Sequence, residues 1–167
     1  MLTFKESEMQ ARTAFLLVFA AALGSGIAAG IFYAFSSFVM AALGRLPPEQ
    51  GVAAMNHINV TVITPSFMIV FMGMAVLSLL LGGASMFWWS VPGAKLVFAA
   101  SVVYLLGCFG VTMAFNVPLN NQLAAVGPGQ MAGLWTRYLE VWTAWNHVRT
   151  VAPLVSAALF TVALVVG

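Results

Sequence analysis

The chain has 167 residues, 62% of them hydrophobic and only 6% charged, against about 25% charged in a soluble domain, so it reads as an integral membrane protein. Six basic and four acidic residues, for a formal net charge of +2, exclude a nucleic-acid surface, and the single cysteine, Cys108, excludes an internal disulfide and a Cys-rich metal site. With two histidines and no aspartate, metal chemistry is tightly limited, and about four spans use the whole length as one domain, 1–167: an all-α, four-helix transmembrane bundle.

Lys5, Glu6, Glu8 and Arg12 precede an apolar run far longer than a cleavable signal needs, which predicts a first span that stays, about 14–43. Within it Ala22, Gly26, Gly30 and Ala34 recur every four residues. Small residues at that spacing predict close approach of another helix, either inside the bundle or across a homo-oligomer seam. Tyr33, Ser36 and Ser37 follow in its second half.

The stretch GRLPPEQG (44–51) is a loop by its prolines, glycines and charges. Span two is expected over about 52–82. Its opening, AAMNHINVTVITPSF, places His57, Thr61 and Thr64 on one helical face with Asn56 and Asn59 flanking it, and Pro65 predicts a kink. Phe87, Trp88 and Trp89 read as an aromatic belt at the far interface, and Pro92, Gly93 and Lys95 as the turn. Span three, about 94–115, carries the polar stripe Ser101, Tyr104, Cys108, Thr112 and Asn116. It ends in FNVPLNNQL, where Asn116 and Asn120 bracket Pro118.

After a Gly- and Pro-containing turn at 125–133 comes WTRYLEVWTAWNHVRT (135–150), the only long segment both polar and patterned. As a helix it shows two stripes: Thr136, Glu140, Thr143, His147 and Thr150 on one, and Tyr138, Trp142, Trp145 and Arg149 beside it. The apolar run behind it, 151–166, is only ~24 Å long as a helix, short of the ~30 Å hydrocarbon layer. The fourth span, about 142–166, therefore draws part of the polar segment into the membrane. An imidazole and a guanidinium there must face protein or water.

Alternating loops bring the start of span two, the end of span three and the start of span four to one membrane face, so the polar stripes are expected to converge there. His57, Asn116, Asn120 and His147 are expected in one cluster, opposite Trp88 and Trp89. Of the basic residues, Lys5, Arg12 and Lys95 fall on one side and Arg45, Arg137 and Arg149 on the other. With Arg149 buried and Arg137 within reach of Glu140, the bias favours both termini inside.

Three readings stand for the histidine pair: buried structural residues, general acid/base groups, or bis-histidine axial ligands of haem. A non-haem iron site with Glu140 is geometrically poor, because Glu140 and His147 lie ~10 Å apart along one helix. Asn56, Asn116, Asn120 and Asn146 supply donors and acceptors for a carbonyl, phenol or oxyanion, or for interhelical bonds. Arg149 suits an anionic substrate or a haem propionate, or snorkels to the interface. Trp142 and Trp145 suit stacking on a flat ring, or an interfacial belt.

The segments NHINVTVITPSF, FNVPLNNQL and WxxYLxxWTAWNHVRT resemble the anthrone oxygenase-like family of small four-helix membrane proteins. The most specific piece is Trp142, Trp145, Asn146, His147 and Arg149. Fungal members of that family oxidise an anthrone to an anthraquinone with dioxygen. The resemblance implies a polar intramembrane pocket holding Asn56, His57, Asn116, Asn120, Asn146, His147 and Arg149; the chain is expected in a bacterial cell membrane, with both termini cytoplasmic by the charge bias. It implies a monooxygenase-like oxidoreductase for a flat phenolic or quinone-type molecule. His147 or His57 is then the base, Asn146, Asn116 and Asn120 hold the oxyanion, Arg149 steadies charge, and Trp142, Trp145 and Tyr33 contribute to binding. No flavin or nicotinamide motif is present, and such chemistry requires no cofactor. The alternative is a non-catalytic protein binding haem, through His57 and His147, or a lipophilic ligand.

Overall fold

The computed structural model describes residues 4–167, apart from the side chains of Phe4, Lys5 and Ser7. The share of the charge bias that rests on Lys5 thus lies outside the described residues. Five helices account for the fold, and four of them are long and apolar enough to cross a membrane.

Helix α1 runs from Phe4–Ala34 through a π-helical turn, Phe35–Val39, into Met40–Leu43. The short α2 is Pro48–Thr61 and α3 is Pro65–Phe87. Helix α4 joins Ala94–Tyr104, the π-helical turns Leu105–Gly110 and Thr112–Asn116, and Val117–Ala124. Helix α5, Met131–Val166, follows the 3₁₀ turn Pro128–Gln130. Around the bundle α5 packs on α1 and α4, and α3 closes the ring by packing on α1 and α4.

Two expected spans change shape for identifiable reasons. The span expected over 52–82 is divided at residues 62–64 rather than kinked. The residue before a proline is pushed out of the helical region, and Thr64 is extended at φ −100°, ψ 154°. Pro65 then occupies the first turn of α3, where its missing N–H costs nothing, and the Thr64 hydroxyl caps Phe67 N–H at 3.3 Å. The third span, expected to end near residue 115, continues to Ala124. Ahead of Pro118 the backbone loosens into a π turn, with Val117 N–H bonding back five residues to the Thr112 carbonyl.

The GxxxG stripe is not the face that α1 uses inside the bundle. Gly26 and Gly30 are exposed, and a side chain at either would meet nothing. The face of α1 that packs is instead Ala21, Ser25, Ala28 and Phe32. Small residues do bring helices together elsewhere: Gly107 lies so close to Ala152 that an added methyl would collide with it, and Gly82 backs onto Ser101. Gly93, at φ 82°, makes the turn into α4, with its α-carbon face against the Ala163 carbonyl of α5. That contact sets the end of α5 beside Trp88, Trp89 and Lys95, at the end of the bundle opposite α2.

Candidate functional site

At the α2 end the bundle opens into a cavity of about 510 Å³, within the size range of small-molecule sites. Its walls are largely apolar and include the rings of Phe32 and Phe35 of α1, Phe67 and Phe71 of α3 and Trp142 of α5. Polar groups reach it from α2 (Asn56, Asn59), α4 (Thr112, Asn120, Asn121) and α5 (Arg149). Two of the three π-helical turns, Phe35–Val39 and Thr112–Asn116, adjoin the cavity, as such turns often adjoin functional sites.

Arg149 is the centre of the polar arrangement. Its side chain is 4% exposed, and its guanidinium lies between the rings of Phe32 at 4.6 Å and Trp142 at 4.7 Å. Nη2 donates to Asn146 Oδ1 at 2.8 Å, while Nε is buried and has no partner. The four carboxylates, Glu6, Glu8, Glu49 and Glu140, are all exposed. Among the described residues, the charge is therefore buried against amide dipoles and ring faces. Cation–π contacts return roughly 0.5–2 kcal/mol each, less than the several kcal/mol by which an ion is penalised on leaving water.

The orientation of this group is built from neighbouring helices. Asn146 Nδ2 donates to the Phe32 carbonyl at 2.8 Å and to Ser36 Oγ at 2.7 Å. Both amide hydrogens are thus used, and Oδ1 is left facing Arg149. The Thr150 hydroxyl donates to the Asn146 carbonyl at 2.9 Å, so at 2.9 Å it accepts from Ser36. On the other side Asn120 Oδ1 accepts from Tyr138 OH and Trp142 Nε1, each at 2.8 Å. This fixes the indole that lies over Arg149. Asn116 is fully buried and donates to the Trp142 carbonyl at 3.1 Å, leaving Oδ1 unpaired. On α2, Asn56 Oδ1 is buried without a partner, and Asn59 lies beside the Tyr138 hydroxyl with its Nδ2 out of hydrogen-bond reach of any acceptor.

The two histidines are not part of this arrangement. His57 and His147 are both exposed and neither lines the cavity, so the cavity does not hold the pair of imidazoles expected there. The reason is angular. His57 is one step from Asn56 on α2 and His147 two steps from Arg149 on α5, about 100° and 200° around the helix. Turning the amides and guanidinium inward turns the imidazoles outward. Tyr33 is 62% exposed on the outer face of α1, and Trp145 stacks on Phe115 at 3.7 Å, away from the cavity. Of the two stripes on α5, Tyr138, Trp142 and Arg149 are buried, whereas Thr136, Glu140 and His147 are exposed. Phe32, Phe35, Phe67 and Phe71 could not be recognised beforehand, because in an apolar span a ring facing a cavity and one facing lipid look alike.

Among the described residues, no three His, Cys, Asp or Glu side chains are grouped closely enough to hold a metal ion. The anthrone oxygenase family matches this chain over residues 66–159, more than half its length, and so includes Asn116, Asn120, Trp142, Asn146 and Arg149. No curated protein and no solved structure matches it.

Proposed function

Because this chain belongs to the anthrone oxygenase family, we propose that its cavity binds a flat phenolic or quinone-type molecule as its anion and presents it to dioxygen. The observation that carries this reading is Arg149: a buried guanidinium at the wall of the cavity, between two aromatic rings, with no carboxylate against it among the described residues. An isolated buried charge is expensive unless something of opposite sign meets it, and an enolate or phenolate held between aromatic faces is such a partner.

The chemistry follows from that placement. An anthrone-type ligand has an acidic CH₂ group opposite its carbonyl. Loss of one proton to water gives an enolate whose oxygen bears most of the charge, and Arg149 stabilises that charge in a site of low dielectric. The carbanionic carbon of the same enolate adds dioxygen and, with a proton, becomes a hydroperoxide. Loss of water then leaves the second carbonyl, so anthrone and O₂ become anthraquinone and H₂O. Asn146 and Asn120 are positioning residues: the first holds the guanidinium and the second the Trp142 ring. A bacterial cell membrane, with both termini cytoplasmic, is the location we propose for this activity.

The test is purified protein in lipid nanodiscs with anthrone as probe, read by dioxygen uptake and anthraquinone absorbance. The parent accelerates oxidation over protein-free nanodiscs, and Arg149→Met lowers turnover by about 10²–10³-fold, the usual effect of removing one oxyanion donor. Arg149→Lys retains part of the activity. A Met variant as active as the parent would remove Arg149 from the reaction. If the parent gives no acceleration but shifts the visible spectrum of 1,8-dihydroxyanthraquinone, the site binds lipophiles without catalysis.

A further inference from the structure

The helices that enclose the far half of the bundle separate around the cavity. Helix α3 packs on α4 along Ala94–Tyr104 and Leu105–Gly110, but parts from it beyond, where α4 continues as Thr112–Asn116 and Val117–Ala124. Helix α2 does not fill the gap, since it packs on α5 and on Val117–Ala124 rather than on α3. On the two helices that part here, Met72 of α3 and Met113 of α4 both line the cavity and are 40% and 51% exposed.

The depth of this opening follows from helix geometry. With Trp88 and Trp89 at one interface, Met72 lies ~24 Å away along α3 at ~1.5 Å per residue. Met113 lies ~28 Å from the start of α4 by the same measure. Both values fall within a hydrocarbon layer of ~30 Å, and helix tilt brings them further inside. The gap therefore faces acyl chains just below the headgroups, the depth at which amphiphilic aromatic rings reside.

We propose that Met72 and Met113 frame a lateral portal through which a flat amphiphilic aromatic molecule passes between the bilayer and the cavity. The proposal rests on the cavity being the small-molecule site described above. Unbranched thioether side chains suit such a gate, because they change rotamer readily and pack on aromatic faces. The ring slides in from the acyl layer edge-first, between α3 and α4, with its polar edge towards Asn120 and Arg149.

Reconstituted protein is mixed with vesicles preloaded with 1,8-dihydroxyanthraquinone, and the red shift of the bound phenolate is followed in time. The Met72→Trp/Met113→Trp double variant should slow association and dissociation together by ~10-fold while the affinity stays within ~3-fold, as for a barrier on the path. Met72→Ala/Met113→Ala should speed both. Val76→Trp, on the exposed face of α3 outside the cavity lining, should match the parent. Wild-type rates in both double variants would overturn the portal while leaving the site intact. Slowing by Ile63→Trp alone, on the α2–α3 connection, would move the path to the headgroup side and overturn it as well. No spectral shift in the parent would instead sink the cavity reading itself, and the portal with it.

Discussion

The two halves of the bundle are made from the same helices and solve opposite problems. In the half near Trp88, Gly82 sits against Ser101 and Gly107 against Ala152. Ser156 donates to the Ala100 carbonyl at 2.9 Å and so accepts from Ser25 at 3.3 Å, and Tyr104 donates across to the Phe71 carbonyl at 3.3 Å. In the other half the contacts between α3 and α4 stop, bulky rings hold the walls apart, and several polar atoms stay unpaired: Arg149 Nε, Asn56 Oδ1 and Asn116 Oδ1. Lipid gives no hydrophobic drive for helix association. Close backbone contact must therefore hold the bundle, and having it at one end lets the other stay open. The packed half supplies the stability, and although Ser78 Oγ is also unpaired there, the open half holds most of the unmet hydrogen-bonding capacity.

The sharpest way to separate the halves is Arg149→Met. Replacing a buried charge that no carboxylate meets with an apolar chain of similar length removes its desolvation cost of several kcal/mol, which outweighs the ~1–3 kcal/mol for leaving Asn146 Oδ1 without its donor. The melting temperature in detergent should hold or rise while anthrone turnover collapses. A variant that melts well below the parent would make Arg149 part of the scaffold.

Gly107→Val should act in the reverse sense. Its methyls would drive α4 from α5 at Ala152, destabilising by about 3 kcal/mol through overpacking, seen as a lower melting temperature with residual activity proportional to folded protein. Parent-like stability would mean that the tight half is not tight.

Asn146→Ala lies between the two. It leaves Ser36 Oγ without its donor and Arg149 without its acceptor, and should lower stability by about 1–2 kcal/mol. Turnover should fall as well, because the guanidinium loses the Asn146 Oδ1 hydrogen bond that orients it. Unchanged kinetics would show that the rings alone orient Arg149.

The smallest effects belong to the outward faces. His147→Gln and Gly30→Leu should each shift stability by no more than about 0.5 kcal/mol, and His147→Gln should leave turnover within about twofold, since an exposed imidazole is not positioned for proton transfer. A large loss of turnover in His147→Gln would return the imidazole to the mechanism.

The sequence alone determined the class, the number of spans and the end of the bundle at which polar residues gather. Those follow from composition, from apolar run lengths and from the alternation of direction that short loops impose. It also marked two stripes on α5 and a polar face on α2, because residues three and four apart share a helix face whatever surrounds it. Which stripe turns inward was left to the tertiary structure. His147 and Arg149 are both polar, in one segment, and differ only by ~200° of rotation. The rotation of α5 is set by contacts distant in sequence, such as Asn146 with Phe32 and Ser36, and Trp142 with Asn120. The same holds for Gly26 and Gly30: their spacing permits close packing, but Ala21, Ser25 and Ala28 offer an equally small face nearby, and the partner helices took that one. Periodicity lists the faces a helix can bury, and the sum of interhelical contacts selects among them.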